Sequence, residues 1–296
     1  MRTSKRSAKR SASERPVLIT GAAGFFGRAL AALLRRSGVK PVLSDLRAGA
    51  VDGLPCRGCD LTDYAGVKRL LRAAAPGGIY HLAGVFSGDY TANYRGNFLP
   101  AKHLLDAALE LGLQCRVLLV GSAAEYGAPA KNPVPETAPL NPVNFYGFAK
   151  TLQTRLGEYY SRVYGLDIVT ARVFNLTGPG VSEALFPGRV GRQIAEYKGG
   201  KISSIKVGRL DSWRDYLPVE EAAAALAAVM ARGAAGEVYN VGSGRPVRMK
   251  TLLADLLARN GVPYTAVESS PGQAGRLDVN RIYADTRKLN ALKARR

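Results

Sequence analysis

Tyr146 and Lys150 stand four residues apart in a stretch with helical periodicity, a spacing that places both on one helix face. A phenol is a poor acid–base group near neutral pH. An ammonium beside it is expected to lower its pKa and make proton transfer accessible. Ser122 lies just past an apolar run, in Val120-Gly121-Ser122-Ala123-Ala124-Glu125-Tyr126-Gly127. A hydroxyl there can polarise a substrate oxygen opposite the phenol. Near the start of the chain, Gly21, Gly24 and Gly27 repeat every third residue, with Phe25 and Phe26 between the last two. Glycines at that spacing let a backbone turn and a helix N-terminus approach a pyrophosphate.

The surrounding pattern predicts the elements that position these groups. Pro16–Thr20 reads as a buried strand leading into the glycine turn, and an amphipathic helix follows to about Ser37. Pro41–Ser44 is a second strand closed by Asp45, 18 residues after Gly27, near the distance expected of a carboxylate that accepts both hydroxyls of an adenosine ribose. A short strand then leads to Asp60 and Leu61, with Asp60 placed to reach an adenine or to sit at the start of the next helix. Further elements are a helix over Tyr64–Ala75, a strand over Ile79–Ala83, a long helix over Ala92–Leu111 and a strand over Cys115–Val120. A helix over Phe145–Tyr164 and a strand over Asp167–Ala171 complete the alternation. Strands and helices in that order predict an α/β fold with a doubly wound parallel (Rossmann) sheet. After residue 173 the chain turns Gly- and Pro-rich, with helices near Val190–Tyr197, Pro218–Ala231 and Lys250–Asn260 and a strand at Glu237–Val241. The expected division is a basic disordered tail over 1–15, a dinucleotide-binding domain over 16–173 with later segments returning to it, and a smaller C-terminal substrate lobe over 174–296.

Composition narrows the alternatives. At 296 residues with 47% hydrophobic and 22% charged side chains, the chain can bury a large core. No apolar run approaches the ~18 residues of a membrane span, and the basic, serine-rich start lacks the apolar segment of a secretory signal. The net charge of +19 is spread in three parts: five in residues 1–15, five in the last eleven, nine in between. The tails lack the aromatic interleaving of a nucleic-acid arm, so a nucleic-acid partner is not expected. Three cysteines, Cys56, Cys59 and Cys115, suit a reducing compartment and hence the cytoplasm. Cys56 and Cys59 form C-x-x-C, but His81, His103 and Cys115 do not complete a metal set at ligand spacing, and no metal is expected.

Taken in order, Gly21–Gly27, His81-Leu82-Ala83-Gly84, Gly121–Gly127, Tyr146–Lys150, Arg172-Val173-Phe174-Asn175 with Gly178-Pro179-Gly180, and Trp213-Arg214-Asp215-Tyr216 resemble the extended short-chain dehydrogenase/reductases that act on nucleotide sugars. The similarity covers about residues 16–260. It implies a catalytic set of Ser122, Tyr146 and Lys150. It implies a dinucleotide held by Gly21, Gly24, Phe25, Phe26, Gly27, Asp45, Asp60, Leu61, Leu82, Ala83, Gly84, Tyr146 and Lys150. A nucleoside-diphospho sugar would meet Ser122, Asn175 and Arg214, and Asn97 would order the active-site backbone. Arg214 is chemically apt because a guanidinium bridges phosphate oxygens, the competing reading being an ion pair with Asp215. The cofactor is NAD or NADP, with NAD favoured by Asp45 and NADP kept open by Arg47. Family members commonly dimerise through two long helices, which here are Ala92–Leu111 and Phe145–Tyr164.

The reaction is narrowed by a departure. Dehydratases of this group carry a Glu two residues before the motif tyrosine, and here that position is Ala124 with Glu125 one place on. On an extended segment such a shift turns the carboxylate to the other face, which disfavours dehydration. Val207–Tyr216, Gln193-Ile194-Ala195 and Gly236–Val241 look most like GDP-4-keto-6-deoxymannose reductases and their dehydratase partners. That resemblance implies hydride delivery to a 4-keto carbon with Tyr146 as the acid. The alternatives are a 4-epimerase with retained NAD and, from another class, a non-catalytic dinucleotide-binding adaptor.

Overall fold

The computed structural model describes residues 15–270 and 279–294. The basic segment 1–14, residues 271–278 and the last two arginines lie outside the described residues, and with them most of the expected tail.

The first half alternates as its hydrophobic periodicity demands. Strand β1 (Val17–Thr20) feeds the glycine turn and helix α1 (Phe25–Arg36). Strand β2 (Val42–Asp45) is followed by a hairpin of β3 (Gly49–Val51) and β4 (Leu54–Gly58), of which the sequence suggested only the second strand. Helix α2 (Tyr64–Ala74) starts on Asp63, whose carboxylate accepts from the Ala65 amide, so Asp63 rather than Asp60 caps it. Strand β5 (Gly78–His81) ends two residues earlier than expected.

The predicted long helix over Ala92–Leu111 is instead three pieces: α3 (Tyr90–Asn93), a π-helical turn over Tyr94–Phe98, and α4 (Leu99–Glu110). The wide turn brings buried Asn93 and Asn97 to bear on the preceding loop, a local distortion that side-chain periodicity does not reveal. Strand β6 (Arg116–Ser122), helix α5 (Phe145–Tyr164) and strand β7 (Ile168–Val173) follow.

Beyond Phe174 come β8 (Asn175–Thr177), α6 (Phe186–Lys198), β9 (Ile205–Val207), β10 (Trp213–Pro218) and α7 (Val219–Arg232). The chain closes with β11 (Val238–Val241), β12 (Pro246–Arg248), α8 (Met249–Arg259), β13 (Val267–Ser269), β14 (Arg281–Ile282) and α9 (Arg287–Ala294).

Among the described residues, eight strands form one sheet in the order β11-β7-β6-β5-β1-β2-β4-β3, parallel except for the β3 edge. Both faces are covered, which is why β5 and β7 read as continuous buried runs. One apolar layer packs α1, α7 and α9 on the sheet; the other packs α2, α4 and α5. The fold is therefore the expected doubly wound α/β sheet, and α7 and β11 return to it from the C-terminal part of the chain. A separate apolar cluster holds α6 and α8 against β9. A second sheet, with β10 between β8, β12 and β14, borders the carboxyl ends of the large sheet's strands. No helix among the described residues is long and apolar enough to cross a membrane.

Candidate active site

The carboxyl ends of β1, β5 and β6 lie side by side, at the edge where a doubly wound sheet binds ligands. Gly21 turns there with φ +70°, and a Cβ on it would lie 2.6 Å from the Ala83 nitrogen and 2.9 Å from the Leu82 carbonyl carbon. A Cβ on Gly27 would lie 2.2 Å from the Gly21 carbonyl oxygen. Both positions require glycine, one to pass the Leu82–Ala83 backbone and one to let α1 start against the turn. Helix α1 begins after Gly24 with no side-chain cap, so its first amides remain available to an anion. Phe25 and Phe26 occupy its first turn, half-buried against the core. The Asp45 carboxylate spans the turn, accepting the Ala23 amide at 2.8 Å and the Leu46 amide at 2.8 Å. A glycine cradle, an uncapped helix N-terminus and a carboxylate at the second strand end together fit a dinucleotide.

Asp60 is exposed and accepts both the amide and the hydroxyl of Thr62, at 2.8 and 2.7 Å, which holds its carboxyl below the usual range. Leu61 beside it is buried, with its carbonyl taken by His103 Nδ1 at 3.0 Å. His81 is buried in β5, bonded through Nδ1 to the Thr20 hydroxyl at 2.8 Å. Burial and then the Lys150 charge push its pKa down to about 3, so it stays neutral and serves packing between strands.

Ser122 ends β6 and caps the following 3₁₀ turn, accepting the Ala124 amide at 3.2 Å. Tyr146 and Lys150 sit in the first turns of α5, whose start is fixed by Asn144 accepting the Gly147 amide at 2.8 Å. The Ser122 hydroxyl lies close enough to the Tyr146 hydroxyl to bear on its pKa. Burial nevertheless raises the Tyr146 pKa, with the Ser122 hydroxyl drawing it down and the Glu125 charge pushing it up. This corrects the expectation that a neighbouring ammonium would lower it. The Lys150 ammonium instead donates to the Val120 carbonyl at 3.0 Å and to Gln153 Oε1 at 3.1 Å. Its own pKa is lowered to about 8 by burial, against an upward pull from Glu125. A Cβ on Gly84 would lie 3.3 Å from the Lys150 nitrogen and 2.7 Å from Asn97 Oδ1, so backbone passes directly over the lysine.

Glu125 does point away from the crevice, for a different reason than strand alternation. It lies in the 3₁₀ turn and folds back beneath β6, fully buried, accepting the Ser122 amide at 2.7 Å and Arg172 Nε at 3.0 Å. Arg172 continues to the Tyr126 hydroxyl at 2.8 Å, and Tyr126 donates to Asn240 at 2.7 Å. The sequence reading missed this network, although an arginine inside the all-buried strand β7 was its visible sign.

Asn175 and Arg214 belong to the second sheet, on β8 and β10. Asn175 donates to the Asp215 carbonyl at 3.0 Å, joining β8 to β10. Asp215 is no surface partner for Arg214: fully buried, it accepts the amide and hydroxyl of Ser243 and the amides of Gly244 and Ala284. Neighbours on a strand face opposite ways, so the Arg214 side chain leaves that cluster. Arg214, and Arg189 from α6, both bear electrostatically on the half-buried Tyr216, whose pKa burial raises to about 12. Arg189 had no motif to reveal it, because only the fold brings α6 beside β10.

The cysteines form no second site. Burial raises the pKa of Cys56 and Cys59, assisted by Asp45 and by Asp63 and Asp60 respectively, and brings Cys115 to about 11. Thiols so placed are poor nucleophiles. No group of three or more His, Cys, Asp or Glu gathers at metal-binding distance among the described residues.

Known proteins share this arrangement. The GDP-6-deoxy-D-mannose reductase of Pseudomonas aeruginosa is 29% identical over 224 residues, spanning 73% of this chain and 73% of that one. The crystal structure of the UDP-glucose 4-epimerase of Thermus thermophilus in complex with NAD matches with a TM-score of 0.82 at 26% identity, covering 95% of this chain and 93% of that one. The structure of RMD from Pseudomonas aeruginosa complexed with NADPH matches with a TM-score of 0.79 at 25% identity, covering 94% of this chain and 92% of that one. The model of the NAD dependent epimerase/dehydratase family matches residues 17–242, which take in the glycine turn, Ser122, Tyr146, Lys150 and Arg214. Motifs, sheet order and crevice agree with that match, and the chain belongs to the NAD-dependent epimerase/dehydratase family.

Proposed function

We propose that this chain reduces the keto group of a 4-keto-6-deoxy sugar carried on a nucleoside diphosphate, with Tyr146 as the general acid. The observation that carries this reading is geometric: Tyr146 and Lys150 sit in the first turns of α5 beside Ser122 at the end of β6, while Glu125, the nearest carboxylate in the motif, is turned away into a buried pair with Arg172. The phenol supplies the proton that a developing alkoxide needs. A 4-epimerase, the second reading, must begin with the same oxygen as a base. Dehydration is disfavoured because Ala124 stands where the proton-moving acid would be, and Glu125 is committed to Ser122 and Arg172.

The dinucleotide, NAD or NADP, would lie on Gly21, Gly24, Phe25, Phe26 and Gly27, with Asp45 at its ribose and Asp60 and Leu61 at its adenine. Leu82, Ala83, Gly84, Tyr146 and Lys150 would hold its other half. When bound, it supplies the hydride. Ser122 keeps the tyrosine hydroxyl oriented and can donate to the same substrate oxygen. Asn175 and Arg214, joined by Arg189, would hold the diphosphate.

A second copy of the chain is the expected partner. Leu109 on α4 and Tyr159, Val163 and Tyr164 on α5 leave 37–49% of their surface exposed along two adjacent helices, an apolar stripe that a two-fold helix pairing would cover. Three unpaired thiols suit the cytoplasm.

The test is a 4-keto-6-deoxy nucleotide sugar offered with NADH and NADPH. Stoichiometric oxidation of one of them is expected, and Tyr146→Phe should reduce turnover on the order of 1,000-fold while dinucleotide affinity is kept. Interconversion of ordinary nucleotide hexoses with no net cofactor use would select the epimerase instead. Dinucleotide binding with no turnover of any nucleotide sugar, and no change on Tyr146→Phe, would point to the adaptor.

A further inference from the structure

One loop beside the catalytic phenol is fixed far more firmly than its exposure requires. Asn97, fully buried in the π-helical turn, accepts the Val85 amide at 3.3 Å and donates to the Val85 carbonyl at 2.9 Å. Asn93, also fully buried, donates to the Ser87 carbonyl at 2.7 Å and the Asp89 carbonyl at 2.6 Å. Gly96 completes the seat, since a Cβ there would lie 2.4 Å from Val85 Cγ2. The backbone on either side of Phe86 is thus pinned by two interior amides. Phe86 itself is 57% exposed, and its ring meets that of Tyr146 edge to face, centroids 5.1 Å apart at 69°.

Phe86 keeps more than half of its surface in water on a backbone that two buried amides hold still. Held against the residue that acts on the sugar, it is pre-organised to touch a ligand. In a pyranose, C6 hangs from C5, the ring atom next to the carbonyl carbon at C4, so a group acting at the C4 oxygen has C6 nearby. The carbonyls of Val85, Ser87 and Asp89 each already accept from Asn97 or Asn93, which weakens them as partners for a C6 hydroxyl. What the loop offers that carbon is an aromatic edge.

We propose that Phe86 is the specificity-determining residue for C6, packing against the methyl group of a 6-deoxy sugar and disfavouring a hydroxyl there. The inference deepens the proposed function and rests on its choice of a nucleotide-linked sugar.

The experiment uses the full chain saturated with NAD or NADP and measures dissociation constants for GDP-6-deoxy-D-mannose and GDP-D-mannose. The matching thymidine and uridine diphosphate pairs are run alongside, on wild type, Phe86→Ala and Phe86→Leu. Wild type should prefer the 6-deoxy ligand about tenfold in the series it binds best, a preference that falls to less than about twofold in Phe86→Ala and largely survives in Phe86→Leu. Dinucleotide affinity should be unchanged in both variants. No preference in wild type, an equal preference in Phe86→Ala, or no binding of any pair would overturn the proposal. So would a change of oligomeric state in Phe86→Ala with an unaltered ratio, which would make Phe86 a subunit contact alongside the exposed Tyr90, Phe145 and Phe148. The two readings separate cleanly: a 6-deoxy preference lost in Phe86→Ala without NAD(P)H oxidation refutes the reductase alone, and oxidation without the preference refutes only the role of Phe86.

Discussion

The two walls of the crevice are built by different physics. The wall formed by β1, β5 and the start of α1 is set by exclusion: at Gly21 and Gly27 a single added carbon would sit 2.6 and 2.2 Å from backbone atoms. The second wall in our proposal, from β8, β10 and the loops around Ser243 and Ala284, is set by attraction. There the buried Asp215 carboxylate gathers four donors, from Ser243, Gly244 and Ala284, and Asn240 donates to the Val134 carbonyl at 2.8 Å across 106 residues of sequence. A wall made by exclusion tolerates almost no change of shape at its contact points. A wall made by attraction depends on its polar partners arriving together.

The sharpest way to break this contrast is to add one methyl group to each side. Gly27→Ala must displace the Gly21 carbonyl and with it the turn, so dinucleotide affinity should fall on the order of 100-fold, measured by fluorescence titration with NADH and NADPH. Gly191→Ala in α6 meets nothing within 4 Å and removes a helix-interior glycine. It should leave affinity unchanged and stabilise the chain by roughly 0.5–1 kcal/mol in denaturant unfolding. Equal effects at the two positions would erase the distinction.

This contrast also explains what a reader of the sequence can and cannot see. Exclusion is local: a glycine that must be glycine appears as a motif, and the strand before it and the helix after it follow from periodicity. Tyr146 and Lys150 are legible for the same reason, since their spacing alone puts them on one face. Attraction is non-local. Nothing near Asp215 announces that its donors come from positions 243, 244 and 284, and its neighbour Arg214 made a surface pair look reasonable. Arg189 was invisible because α6 meets β10 only in the folded chain. The π-helical turn at Asn97 escaped because its apolar pattern is that of an unbroken helix, and the distortion serves side-chain bonds to the loop at Val85 rather than core burial.

On the attracted wall the corresponding prediction concerns Asp215. Asp215→Ala strands the amides of Ser243, Gly244 and Ala284 without an acceptor, which should cost on the order of 3 kcal/mol of stability in denaturant unfolding. Because β10 carries Arg214, the KM for the nucleotide sugar should rise while dinucleotide affinity stays near wild type. A parallel loss of dinucleotide affinity would mean that the walls are one cooperative unit rather than two.

The smallest effect lies between the walls, at Lys150. Its pKa, ordinarily 10.5, stands at about 8 because burial disfavours the charged form, while Glu125 beneath β6 favours it. The lysine is therefore charged at pH 7 and loses its proton as the pH rises through about 8. Tyr146 is shifted upward and His81 is neutral already, so neither titrates in that window. If the ammonium assists reduction, kcat/KM should hold steady below about pH 7 and fall about tenfold between pH ~7 and ~9. Glu125→Gln keeps an oxygen that can accept the Ser122 amide but removes the negative field, so the lysine should lose its proton more easily and the alkaline limb should move to lower pH. A limb that stays in place would assign the fall to another group.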